Sequence, residues 1–263
     1  MFAFDIQHRL AAILGQPHPS TPSSAVVLVC LPAHCAVDTE ALYVELAERV
    51  TAGLDASAAV LCPGHLYAQT HFAAGERLLI NAGPGPGPLR GCAGGPLGLL
   101  DFTDSAAVIA AVAADEYHTW ASTVAGTPDA IPLHEVFQAF AHDATEAVSA
   151  FCSQPRVSAM LAADQRGETS FVVEEYATLL AAYQAGPAEH CRYLIDVMQL
   201  GDALLDLDGT LVTPAPLHRP RLTQTLAQRR QYHQEARRRL RSANPTTVLV
   251  ACHTIVTPHR SYP

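Results

Sequence analysis

No lysine occurs among the 263 residues; all sixteen basic residues are arginine. Schiff-base, pyridoxal-phosphate and Walker-type lysine chemistry are thereby excluded. Also missing is any apolar run near the roughly 18–20 residues that a membrane span needs. The amino-terminal stretch MFAFDIQHRL has no charged region followed by an apolar one, so no signal peptide is read there and the expected location is the cytoplasm. The seven cysteines (Cys30, Cys35, Cys62, Cys92, Cys152, Cys191 and Cys252) contain no CxxC pair. Their odd number argues against a disulfide framework, and their spacing against a zinc ribbon. Charge is sparse, 16% of residues against 49% hydrophobic, which predicts a packed core and excludes a disordered chain. Arginine without lysine, in an alanine-rich chain, suggests a GC-rich bacterial genome.

What charge there is lies unevenly. Residues 1–218 hold 7 Arg against 24 acidic groups, a balance of −17, while residues 219–263 hold 9 Arg against Glu235 alone, a balance of +8. Such a basic segment suits an acidic partner or a solvated helix face. Nucleic acid is disfavoured, because Tyr232 alone stands among the clustered arginines as a stacking ring.

Along the chain, residues 1–14 read as a short amphipathic helix and 16–24 as a turn-rich linker. AVVLVCL (25–31) is a β-branched strand, 38–53 a helix and SAAVLC (57–62) a second strand, together a βαβ unit. A third strand is expected at ERLLINAG (76–83), and a loop over the Gly/Pro-rich 83–98, since proline cannot donate ladder hydrogen bonds. Helices are expected over about 104–120, 133–151, 174–185, 189–198 and 221–243, with strands at 202–209 and 246–252. This order predicts one α/β domain over 1–263, a three-layer αβα with a mostly parallel sheet.

Three strand exits share a pattern. VVLVCLPAH (26–34), AVLCPGH (59–65) and TVLVACH (247–253) each run into a Cys and then a His, and a fourth, LLDLDG (204–209), ends in two carboxylates. Parallel sheets bind ligands beyond the carboxyl ends of their strands. If the four exits are parallel neighbours, His34, His65, His253, Asp206 and Asp208 converge. Imidazole with carboxylate suits Mn²⁺ or Zn²⁺, and such an ion generates hydroxide near neutral pH. Asp206, Asp208, His34 and His65 are the expected ligands, with His65 and His253 as acid/base groups. The alternative is that each Cys is core and each His bonds locally.

Two family resemblances bear on the same residues. Asp206-Leu207-Asp208-Gly209-Thr210 resembles the first motif of the haloacid-dehalogenase-like phosphatases, which implies Asp206 as nucleophile, Asp208 as acid/base and Mg²⁺ beside them. After Thr210 there is no Lys, no Asp and only Glu235, so the later motifs of that family have no counterpart. The last 60 or so residues also resemble the arginase-like (ureohydrolase and peptide-arginase) fold, with its Asp-x-Asp pair at a late strand end followed by a helix and a strand. That resemblance implies two Mn²⁺ bridged by Asp206 and Asp208, with His34 or His65 in the histidine places, and hydrolysis of C–N bonds in a guanidino or amide substrate, a small molecule or a peptide. The family's Asp-x-His-x-Asp run is reduced here to His65 alone.

Weaker signals are Arg90 in the Gly/Pro loop as an anion clamp, a Glu135/His142/Glu146 helix face, and Cys30, Cys62 or Cys252 as a nucleophile beside a histidine. The leading expectation is a metal-dependent hydrolase. The alternatives are a phosphatase and a non-catalytic protein that keeps an enzyme fold and docks a partner through the basic helix 221–243.

Overall fold

A computed structural model describes residues 23–54, 56–69, 76–140, 143–167, 176–215 and 224–256. The expected N-terminal helix and most of the linker after it lie outside these residues, as do His142 and the final HRSYP. The chain forms two compact units. Among the described residues, one comprises those within 111–193 and 224–229, and the other those within 23–110, 194–215 and 230–256. No helix among the described residues is long and apolar enough to cross a membrane.

The second unit is built on β1 (Ser23–Leu31), α1 (Thr39–Leu54) and β2 (Ala56–Leu61). Alternation sends Val27, Val29 and Leu31 of β1 to one face of the sheet, against Leu42, Leu46, Val50 and Leu54 of α1. Leu28 and Cys30 turn to the other face. Both faces are covered, which is why the strand reads as a continuous apolar run rather than an alternating one.

After β2 come β3 (Leu66–Gln69), β4 (Gly83–Pro84), β5 (Leu89–Cys92) and β6 (Gly94–Pro96). The Gly/Pro segment expected as loop therefore carries three short strands. Proline sits only at a strand's last residue or in a turn, and Gly94 lies so close to β9 (Val248–Val256) that an added Cβ would collide with the Leu249 carbonyl. The strand expected at 76–83 is instead a 3₁₀ turn, Glu76–Leu78, and a lone bridge at Ile80. Asn81, at φ 49°, turns the chain out of extended geometry there.

The main sheet runs β2-β9-β1-β7-β8, with β6 also on β9; β7 is Ala203–Leu205 and β8 is Leu211–Val212. Only β1 and β7 pair in parallel. β9 is antiparallel to β1 over nine residue pairs, and to β2 and β6. The sheet is thus mixed and mostly antiparallel, which corrects the expected mostly parallel one. β1 and β2 do run the same way, as a βαβ unit requires, but β9 is inserted between them.

In the first unit α2 (Phe102–Thr123, shared with the second) leads to α3 (Leu133–Ala139), α4 (Ala144–Ser153) and α5 (Pro155–Gln165). These are followed by α6 (Tyr176–Gln184) and α7 (Pro187–Leu200), whose residues from Leu194 on belong to the second unit. The single helix expected over 133–151 is two, because Asp143 leaves helical geometry and caps α4, its side chain accepting from the Glu146 N–H. Glu135 and Glu146 therefore stand on different helices and share no face. Trp120, Tyr183 and His190 form a buried aromatic stack, with ring centroids 4.7 Å and 4.0 Å apart. α8 (Leu226–Ser242) returns to the second unit, where Tyr232 and Ala236 pack on the sheet face opposite α1.

Candidate functional site

The two carboxylates of LLDLDG sit in a hairpin. Asp206 N–H donates to the Thr210 carbonyl and Gly209 N–H to the Asp206 carbonyl, with Gly209 at φ +83°. This is the three-residue hairpin connection that wants glycine at its left-handed position and aspartate at its start. Asp206 Oδ1 accepts from the Leu207 N–H at 2.7 Å, and its Oδ2 pairs with Arg239 of α8 at 2.9 Å. Asp208 Oδ1 accepts from the Thr210 N–H at 2.8 Å; that bond and the Thr210 hydroxyl hold its carboxyl below its usual range. Arg49 of α1 donates to the Leu207 carbonyl at 2.9 Å. The pair thus shapes a turn, and Asp206 is tied to an arginine of α8 there.

The histidines divide. β1 ends at Leu31 opposite Val248, but β2 ends at Leu61 opposite Cys252, four residues lower on β9. At ~3.3 Å per residue the two exits stand about 13 Å apart along the strands. His34 lies exposed in the 3₁₀ turn Ala33–Ala36, beyond the far exit. His253 is not at an exit at all, because β9 is antiparallel; it sits mid-strand, paired with Val26 and Val60, and exposed. The expected gathering of His34, His65, Asp206 and Asp208 does not form, and among the described residues no group of three or more His, Cys, Asp or Glu could hold a metal.

His65 and His253 do come near one another, together with Asp202, which the sequence reading passed over. Asp202 N–H donates to the Val26 carbonyl, and the Val26 N–H donates to Asp202 Oδ2 at 2.8 Å. Asp202, Val26, His253 and Val60 so form one row across the sheet. Burial pushes the His65 imidazole down to about 4, against the pull of Asp202 and with a small push from His253. Its buried Nε2 has no hydrogen-bond partner among the described residues, and His65 lines a water-sized recess with Tyr67, Asp101, Ser105 and Gln199. The signal for Asp202 was a carboxylate at the start of an apolar strand.

The cysteines at the strand ends are thiols. Burial pushes Cys30 and Cys252 up to about 12 and Cys62 up to about 11. Burial of this kind disfavours the thiolate, the form a cysteine nucleophile needs. Arg90 lies within β5, paired across to Ala68 and Pro84.

A different surface has the charge. On α8 the arginines fall into two sets. Arg237 is bound to Asp196 of α7 at 2.5 Å and to Gln199 at 3.1 Å, and Arg239 bridges Glu235 and Asp206. Those two are internal clamps. Arg238, 65% exposed, donates to Glu235 through Nε and one terminal nitrogen, which leaves its other nitrogen outward. Arg241 is exposed and has no ion pair among the described residues. With Gln234, Arg237 and Ser242 these two line a shallow open groove. Tyr232, the one candidate stacking ring, is buried and donates its hydroxyl to the Leu200 carbonyl at 2.6 Å. No family model, curated protein or solved structure matches the chain.

Proposed function

We propose that this chain is a non-catalytic interaction protein, and that the outward face of α8 recognises an acidic polypeptide. One observation carries the reading: Asp196 and Asp206 hold Arg237 and Arg239, while Arg238 and Arg241, which have no such tie to another helix or strand among the described residues, line an open groove together with Arg237. Glu235 fixes the Arg238 guanidinium through two N–H groups, so less rotamer entropy is lost when a carboxylate docks on the remaining ones. Charge selects the ligand. Arg237, Arg238, Arg239 and Arg241 against Asp196, Glu235 and Asp206 leave a local balance of +1, which suits carboxylates taken one at a time. With Tyr232 buried, no exposed ring stands beside these arginines among the described residues for a base to stack on.

The experiment is a titration of the protein with a labelled oligoglutamate and, separately, with a labelled single-stranded oligonucleotide of equal length, read by fluorescence anisotropy. Saturable, salt-sensitive binding of the glutamate chain in preference to the oligonucleotide is expected. Preference for the oligonucleotide, or no binding of either, overturns the reading.

A second reading, metal-dependent hydrolysis of a guanidino or amide C–N bond in a three-layer αβα fold, is favoured by the meeting of His65, His253 and Asp202. Its Mn²⁺ or Zn²⁺ would have to draw these three residues together on binding, because as they stand they do not form a metal-holding group. Elemental mass spectrometry after Mn²⁺ and Zn²⁺ loading decides it: stoichiometric metal in the wild type, lost in His65→Ala, supports it, and metal-free protein under every loading removes it.

A further inference from the structure

We infer that the acidic surface recognised by α8 is the exposed face of α1 on a second copy of this chain. The inference rests on the reading that α8 binds acidic polypeptide, and it names the partner.

The complementary surface is already on the molecule. Glu40, Val44 and Glu48 follow one another at spacings of four along α1 and form one outward stripe, and Val37 lies exposed in the turn just before the helix. Tyr43 and Ala47 lie beside it. Val37 is 77% exposed, Tyr43 52% and Val44 50%. Three large apolar side chains left in water on one short surface, rimmed by carboxylates, have the composition of a contact surface. On α8 the exposed stripe is Gln231, Gln234, Arg238 and Arg241, all polar, with no apolar group to bury. The two stripes are opposite in charge, Glu40 and Glu48 on α1 against Arg238 and Arg241 on α8. Arginine stems can cover Val44, and a guanidinium can lie over the Tyr43 ring.

Within one copy these surfaces cannot meet. α1 packs on the sheet face that carries Val27, Val29 and Leu31, and α8 on the face that carries Leu28 and Cys30, so the sheet lies between them. The contact is therefore intermolecular and joins unlike faces. Such head-to-tail contacts add copies in a row unless the rotation closes a ring. A single helix-on-helix patch is smaller than a standard stable interface, so the association is weak, and its charge pairs make it salt-sensitive.

The test is sedimentation velocity on the full chain at low and high salt over a concentration series. Two charge-reversed variants are compared with it: Arg238→Glu/Arg241→Glu and Glu40→Arg/Glu48→Arg. The expected wild-type result is a weight-average mass that climbs above 28.0 kDa with concentration at low salt and returns to it at high salt. Each variant alone stays monomeric, since both its faces then carry the same sign, and an equimolar mixture of the two associates again. All substituted side chains are exposed. Thermal melts confirm folding, and Arg241→Glu with Glu48→Arg as single changes repeats the test should a double variant fail to fold. A wild-type mass of 28.0 kDa under every condition overturns the inference, as does a mixture that stays monomeric. If the oligoglutamate binds while the wild type remains monomeric, the proposed function stands and this partner falls; if neither occurs, both fall.

Discussion

At the scale of single residues, Asp206 and Asp208 look alike in the sequence and do different work. Asp206 holds Arg239 and the turn together, both partners about four-fifths buried, so Asp206→Ala is expected to lower unfolding stability by about 1–2 kcal/mol. Asp208 faces solvent and holds a backbone N–H of the turn, so Asp208→Ala costs less. Urea unfolding of both variants checks this order, and a larger loss at Asp208 would contradict the turn geometry. His190 supplies a pH test. Its ring is fully buried with neither nitrogen hydrogen-bonded, and burial lowers it from 6.5 to about 4. The 3.7 Å approach of Glu116 is therefore no ion pair near neutral pH, because the imidazole is neutral. Between those two values the unfolded chain binds the proton and the folded one does not, so stability falls as pH drops from about 6.5 to about 4, by on the order of 3 kcal/mol. Glu116, whose carboxyl burial pushes up, offsets part of this. His190→Phe, which keeps the ring stack, should flatten the fall in stability measured by denaturation at each pH. An unchanged profile would show that His190 is not its source.

Among the elements, what could be read from sequence was what local chemistry decides. β1, α1 and β2 stand close to where their β-branched runs and caps place them, and so do α2, α6 and α7. Three features escaped. The direction of β9 is set by tertiary pairing with β1 and β2, and an apolar run such as TTVLVAC contains nothing that distinguishes parallel from antiparallel. The split of α3 from α4 was signalled by Asp143, a helix-capping residue inside a periodic pattern, but the apolar spacing on either side continues across it. The DLDG turn was legible as turn chemistry, Asp first and Gly fourth, and was hidden by its likeness to a catalytic motif. The predicted convergence of histidines failed with β9's direction and with the unequal lengths of β1 and β2, neither of which a single strand encodes. α7 offers an element-scale test. It ends at Gly201, at φ +60°, where an added Cβ would lie 2.7 Å from the Val26 carbonyl oxygen. Gly201→Ala is therefore expected to cost about 2–3 kcal/mol, through left-handed strain and displacement of β1. A loss below about 0.5 kcal/mol in thermal or urea unfolding would contradict that packing.

Over the whole molecule the separation of charge is the dominant feature, −17 before residue 219 and +8 after it. Part of the basic set is consumed within the fold, by Asp196 and Asp206, and the remainder on α8 faces out. An interaction built on that remainder must weaken with ionic strength and must depend on Arg238 and Arg241 far more than on the clamps. The most direct measurement is the affinity of a labelled oligoglutamate for the wild type, for Arg238→Ala/Arg241→Ala, and for Arg237→Ala, at low ionic strength. The expected result is binding by the wild type, a loss of about tenfold or more in the double variant, and in Arg237→Ala a drop in unfolding stability with a smaller change in affinity. Equal affinity of the wild type and the double variant would contradict the assignment of α8 as the recognition surface.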